Sequence, residues 1–143
     1  MKLPDLNLLI YAVDRESSQH DSALRWWNDS LSATETIALS WAVLLGFIRL
    51  TTNPRVMTRP LSTADAIDYV ERWLEHPVTT IVEPTLRHAA VLRDLLMRIG
   101  TAANHVSDAH LAALAIEHGA DLYSADHDFG RFGGLSWIDP LRS

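Results

Sequence analysis

Short apolar runs alternate along this chain with stretches of helical periodicity, and that alternation constrains the fold more than any other feature. "TIALS", "VTTIV", "GADLY" and "LSWI" have the length and character of short buried strands. The segments between them are long enough for helices. Successive strands joined by helices require crossover connections, which yield a mainly parallel sheet covered on both faces. The expected class is α/β, a three-layer α/β/α sandwich with a mainly parallel central sheet. No repeat, low-complexity tract or linker interrupts the pattern, so residues 1–143 are expected to form one domain.

The helical segments carry their own punctuation. In "SQHDSALRWWNDSL", Leu24, Trp27 and Leu31 share a face, and Ser18 and Asp21 are spaced as a capping pair. "SWAVLLGFIRL" is apolar nearly all round, which predicts an interior helix ended by "TTNP". "STADAIDYVERWLEH" starts at Ser62 and turns Ala66, Val70 and Trp73 or Leu74 inward. Leu92, Leu95, Leu96 and Ile99 follow helical spacing. "SDAHLAALAIEHGA" predicts a helix with Ser107 as N-cap and Gly119 in the left-handed stop position.

Several classes are excluded by composition. The longest apolar run, "WAVLLGFI", has eight residues, well short of the ~18 needed to span a membrane. "MKLPD" lacks the apolar stretch of a signal peptide, so a cytoplasmic location is expected. The chain has no Cys, hence no disulfides and no thiolate metal site. Lys2 is the sole lysine, which excludes a P-loop or a Schiff-base lysine. A net charge of −6 argues against a broad basic surface, so contacts to nucleic acid would have to be local and made by Arg. "RLTTNPRVMTR", with Arg49, Arg55 and Arg59, is the segment suited to that role.

In parallel α/β sheets, ligands bind beyond the carboxyl ends of the strands, near the reversal in strand order. Asp5 stands at the first strand-to-helix junction, Asp108 opens a late helix, and Asp126 and Asp128 follow the "DLYS" strand. Each has an ordinary reading as a cap, a helix-dipole partner or a turn residue. Together, three segments direct carboxylates toward one sheet edge. Clustered carboxylates repel, and a hard divalent cation such as Mg²⁺, with Mn²⁺ as substitute, relieves that repulsion and suits phosphodiester hydrolysis. Asn7 is placed to orient Asp5 or a turn. His105 and His110 flank Asp108 but do not share a helix face, so zinc is not expected. Trp26 and Trp27 are adjacent on a helix and cannot both face the core centre, which leaves one for an interface; Trp41, Trp73 and Trp137 are expected in the core.

"PDLN" at Pro4–Asn7, "GFIRLTTNPRV" at Gly46–Val56 and "SDAHLAALAIEHGADLYSADHDFGRF" at Ser107–Phe132 resemble PIN-domain ribonucleases, specifically VapC-type toxins of toxin–antitoxin pairs. The resemblance covers nearly the whole chain. It implies a Mg²⁺-dependent endoribonuclease with Asp5, Asp108 and Asp126 as metal-binding and catalytic residues, and Asp128 as an outer or alternative one. It also implies a cognate VapB-type antitoxin, an RNA substrate and a homodimer. One departure stands out: the family usually carries a Glu on the helix after the second strand, where this chain has Leu44 or Gly46. Glu35, before that strand, is not its equivalent. The gap keeps a second reading open, a catalytically weak or silent PIN-like module that binds RNA or protein. A phosphotransfer enzyme with Asp5 as nucleophile is disfavoured by the missing interior Lys.

Overall fold

The computed structural model of the chain describes residues 1–100 and 104–142. Among them, five short strands form one sheet: β1 (Lys2–Pro4), β2 (Ile37–Leu39), β3 (Thr79–Ile81), β4 (Asp121–Tyr123) and β5 (Trp137–Ile138). Their order is β3-β2-β1-β4-β5 and every pairing is parallel. Six helices connect them: α1 (Leu6–Val13), α2 (His20–Ser32), α3 (Trp41–Thr51), α4 (Thr63–Glu75), α5 (His88–Ile99) and α6 (Val106–His118). A 3-10 turn occupies His127–Arg131.

The chain steps outward from β1 to β3, then returns to the far side of β1 for β4 and β5. Right-handed crossovers therefore place α1–α4 on one face and α5–α6 on the other, giving the expected sandwich. The strand order reverses between β1 and β4. Asp5 and Asp126 follow those two strands, so the topology itself brings them to the switch point.

Local signals hold in part. Ser62 Oγ accepts from the Asp65 amide at 3.1 Å and starts α4, and Gly119 closes α6 at φ +63°, where a side chain would be strained. Ser18 and Asp21 do not cap α2; Gln19 precedes it without a side-chain bond, and Ser17 Oγ takes the Gln19 amide instead. Ser107 is not an N-cap either, because α6 begins one residue earlier and His105 holds that position. Of the four α5 residues at helical spacing, Leu95 is buried, while Leu92, Leu96 and Ile99 pack at the margin of the core.

The interior reading of α3 needs correction. Val43, Leu44 and Phe47 are buried, but Trp41 and Leu45 are 43% and 59% exposed. The helix packs between α1 and α4 and leaves its third side to solvent. Trp27 and Trp73 meet edge to face inside the core at 5.6 Å, and Trp73 stands against Phe47. Trp26 lies over β1 and β4, stacked on Tyr123 with the Lys2 ammonium nearby. The adjacent tryptophans are thus separated by function, one in the core and one against a partner within the chain.

Candidate active site

The last residue pairing of β1 with β4 delivers Asp5 to the sheet edge, where its amide donates to the Tyr123 carbonyl at 2.8 Å. Asp5 Oδ1 accepts from the Leu6 amide at 2.7 Å, so it does cap α1. Oδ2 accepts from Ser124 Oγ, also at 2.7 Å. Burial pushes the Asp5 carboxyl up from 3.8 to about 6; the Ser124 and Leu6 bonds oppose this, while Asp108 and Asp126 add to it. Asp108, in the first turn of α6, is raised first by burial, then by Asp126 and Asp128, against the lowering effect of His105. Asp5, Asp108 and Asp126 therefore lie within one electrostatic neighbourhood.

The Asp126–His127–Asp128 sequence resolves into three roles. Asp126 caps the 3-10 turn by accepting the Asp128 amide at 2.9 Å, and it also joins the acidic cluster. His127 faces away: its Nε2 meets Asp139 at 2.9 Å and its ring stands edge-on to Trp137. Asp128 is exposed, 3.6 Å from Arg131, and influences Asp108 but not Asp5.

Ser124 was not singled out by sequence reasoning, yet it joins the parts. Fully buried, its hydroxyl donates to Asp5, accepts from the Asp126 amide at 3.0 Å and lies 3.3 Å from Asn7 Nδ2. Trp137 Nε1 donates to its carbonyl. Asn7 braces the β4 exit through Ser124 and the Ala125 amide, and its hydrogen bonds go there and not to Asp5. The only sequence signal was position: a small polar residue at the carboxyl end of a strand beside the switch point.

Asp5 and Asp108 open into a cleft of about 500 Å³ between α1, α3, α5 and α6, whose lining includes Gly46, Arg49 and His110. Arg49 is the candidate RNA contact that reaches it. Arg55 lies in the turn after α3, outside the lining, and Arg59 pairs with Glu16 at 3.4 Å. On the α3 wall no carboxylate appears. A Cβ at Gly46 would stand 2.8 Å from Leu6 Cδ2, so the leucine tip fills that space. Glu35 binds the Met1 ammonium at 3.1 Å, at the other end of the strands.

Behind the cleft, His110 Nδ1 is 2.9 Å from His88 Nε2, and His88 Nδ1 contacts the solvent-excluded Glu117 carboxylate. His110 is therefore the cleft end of a side-chain series running from Glu117 through His88. Its imidazole is pushed below its usual pKa by burial and by His88, against the opposing pull of Glu117. His118 closes α6 by meeting the Glu83 carbonyl at 2.7 Å.

The donor set fits a hard cation in chemistry but not as a closed cage. All three aspartates offer oxygen, and the strained ionisation of Asp5 favours a positive partner. Among the described residues, however, no three Asp, Glu or His side chains converge into a ready-made metal site. This arrangement suits Mg²⁺ held through one or two carboxylates with water completing its shell.

The PIN domain family matches residues 2–135. The chain is 46% identical over 140 residues to Ribonuclease VapC37 of Mycobacterium tuberculosis, covering 98% of this chain and 97% of the relative. It is 44% identical over 142 residues to Ribonuclease VapC33 of the same organism, covering 99% of each. In fold it is similar to VapBC2 from Rickettsia felis bound to a promoter DNA fragment (TM-score 0.70, 18% identity, 96% of each chain). VapBC-1 from nontypeable Haemophilus influenzae has a TM-score of 0.69 at 16% identity, covering 99% of this chain and 98% of that one. The chain belongs to the PIN-domain family, among its VapC-type ribonucleases.

Proposed function

We propose that this protein is a Mg²⁺-dependent endoribonuclease, the toxin of a toxin–antitoxin pair, and that Asp5, Asp108 and Asp126 carry the reaction. The observation that supports it most is the Asp5 carboxyl, buried at the switch point and pushed up to about 6 beside two further aspartates. Holding it ionised costs folding free energy that a bound cation returns. Asp5 and Asp108 would hold Mg²⁺, or Mn²⁺ in its place, with Asp126 completing the negative field. When bound, the ion supplies a water of lowered pKa and stabilises charge on the phosphoryl oxygens. Ser124 fixes the rotamer of Asp5, and Arg49 receives an RNA phosphate at the cleft wall. Without an acid on α3, one ion is held firmly and a second only weakly.

The VapBC complexes named above support a VapB-type antitoxin as partner, and a homodimeric toxin belongs to the same proposal. The exposed Trp41 and Leu45 on α3 offer apolar surface for such contacts. Among the described residues no helix is long and apolar enough to cross a membrane; action in the cytoplasm is part of the proposal. The lack of an acid in the α3 sequence keeps one alternative, a PIN-like module that binds RNA or protein without cutting it. The test is to purify the protein free of partner and titrate Mg²⁺ and Mn²⁺ against linear and structured RNA. Cleavage abolished by Asp5→Asn and Asp108→Asn is expected. Cleavage that survives those changes removes the site assignment, and no cleavage with any metal leaves the binding module.

A further inference from the structure

His110 is the one imidazole in the cleft lining, and it is built into place from behind. Glu117, excluded from solvent, accepts from the Thr85 amide at 2.9 Å and the Thr85 hydroxyl at 2.6 Å. Its second oxygen meets His88 Nδ1, and His88 Nε2 meets His110 Nδ1. This chain ties α5 to α6 and fixes the ring of His110 through one nitrogen only. The other, Nε2, has no partner among the described residues and is not a buried atom. A purely structural pin would need Nδ1 alone.

We propose that His110 Nε2 hydrogen-bonds a ribose 2′-hydroxyl of the RNA strand next to the cleaved linkage, making His110 a residue that distinguishes RNA from DNA. The inference rests on the ribonuclease reading given above. Two features of the cleft select this ligand. Phosphate has a better partner in Arg49, which lines the same cleft. A hydroxyl both donates and accepts, so it pairs with Nε2 whichever tautomer the Glu117–His88 chain imposes. The 2′-hydroxyl is also the group by which proteins tell RNA from DNA. Asp108 and His110 both line the cleft from α6, so a strand whose phosphate reaches the aspartates passes its sugar along this wall.

Two conservative variants separate the nitrogens. The amide of Asn overlays imidazole Nδ1, so His110→Asn keeps the bond to His88 and loses the cleft-facing group. The amide of Gln overlays Nε2, so His110→Gln does the reverse. The probe is a cleavable RNA oligonucleotide and a series with a single 2′-deoxy substitution at each position flanking the cut. Wild type is expected to lose roughly tenfold in kcat/KM at one such position, about the worth of one hydrogen bond. His110→Asn should cut the all-ribose and that deoxy substrate equally, while His110→Gln should retain most of the preference. Because the ratio of two substrates is read on one sample, any loss of folded protein cancels. An unchanged deoxy penalty in His110→Asn, or no penalty in wild type at any position, overturns the inference while leaving the ribonuclease intact. A wild-type protein that cuts no RNA overturns both.

Discussion

Ser124 donates its hydroxyl to Asp5 Oδ2 at 2.7 Å although 119 positions separate the two residues. The same oxygen accepts the Asp126 amide, so one buried hydroxyl sets two of the three clustered aspartates. Ser124→Ala leaves both groups without that partner and is expected to cost about 1–3 kcal/mol of stability. Because the Ser124 bond lowers the Asp5 pKa, its loss moves that group further above about 6. The acid limb of the cleavage profile should then shift to higher pH. Urea denaturation and kcat/KM against pH read the two effects separately.

Asp5 burial has a cost that folding alone must carry. The folded carboxyl titrates near 6 against an ordinary 3.8, so the folded state binds the extra proton in that window and stability falls as pH rises through it. At about 1.4 kcal/mol per pH unit the full cost above pH 6 is about 3 kcal/mol. Asp5→Asn keeps an acceptor for the Leu6 amide, meets Ser124 with an N–H that can only donate, and cannot ionise. Without divalent metal it should be more stable than wild type at neutral pH, and the difference should shrink toward zero near pH 4. Equal melting temperatures for the two proteins at neutral pH would show that Asp5 is not strained.

Much of this site could be read before the fold was seen, and the reason is topological. Alternating strands and helices fixed a parallel sheet, and a parallel sheet places the residues after β1 and β4 side by side. Asp5 and Asp126 follow from that rule. Ser124 carried no spacing or composition signal; only the reversal in strand order gives a strand-end serine its importance. His88, His110 and Glu117 were illegible for a different reason. They lie 22 and 29 positions apart from His88 on two packed helices, and no periodicity within one helix records contacts made between two. The error at α3 is of a third kind. Hydropathy shows that Trp41 and Leu45 are apolar, but not whether the chain itself or another surface covers them.

Glu117 is expected to be a structural carboxylate with a measurable pH signature. Burial pushes its pKa up, but the bonds from the Thr85 hydroxyl, His88 and the Thr85 amide prevail and bring it below its ordinary 4.5. The stabilisation is therefore present above that value and lost as pH falls through the lower folded pKa. Glu117→Gln should destabilise by about 2 kcal/mol near neutral pH, typical of hydrogen bonds to a charged group. The deficit should close below about pH 4.5. Denaturation series at several pH values check both size and direction.

Gly46 and Leu6 should behave as a coupled pair. A β-carbon at position 46 would meet Leu6 Cδ2 at 2.8 Å, closer than van der Waals contact allows, although the leucine tip is able to swing aside. Gly46→Ala removes a helix-interior glycine, worth about 1 kcal/mol in propensity, and loses about as much by displacing Leu6. Alone it should be near neutral. Leu6→Ala should destabilise by itself, since the side chain packs against the core. In the Leu6→Ala background the added methyl enters vacated space, so Gly46→Ala should stabilise there by about 1 kcal/mol. A double-mutant cycle should thus show a coupling of at least about 0.5 kcal/mol. Additive changes would mean that Leu6 does not occupy the α3 wall, and the place of the missing carboxylate would then be open space within the cleft.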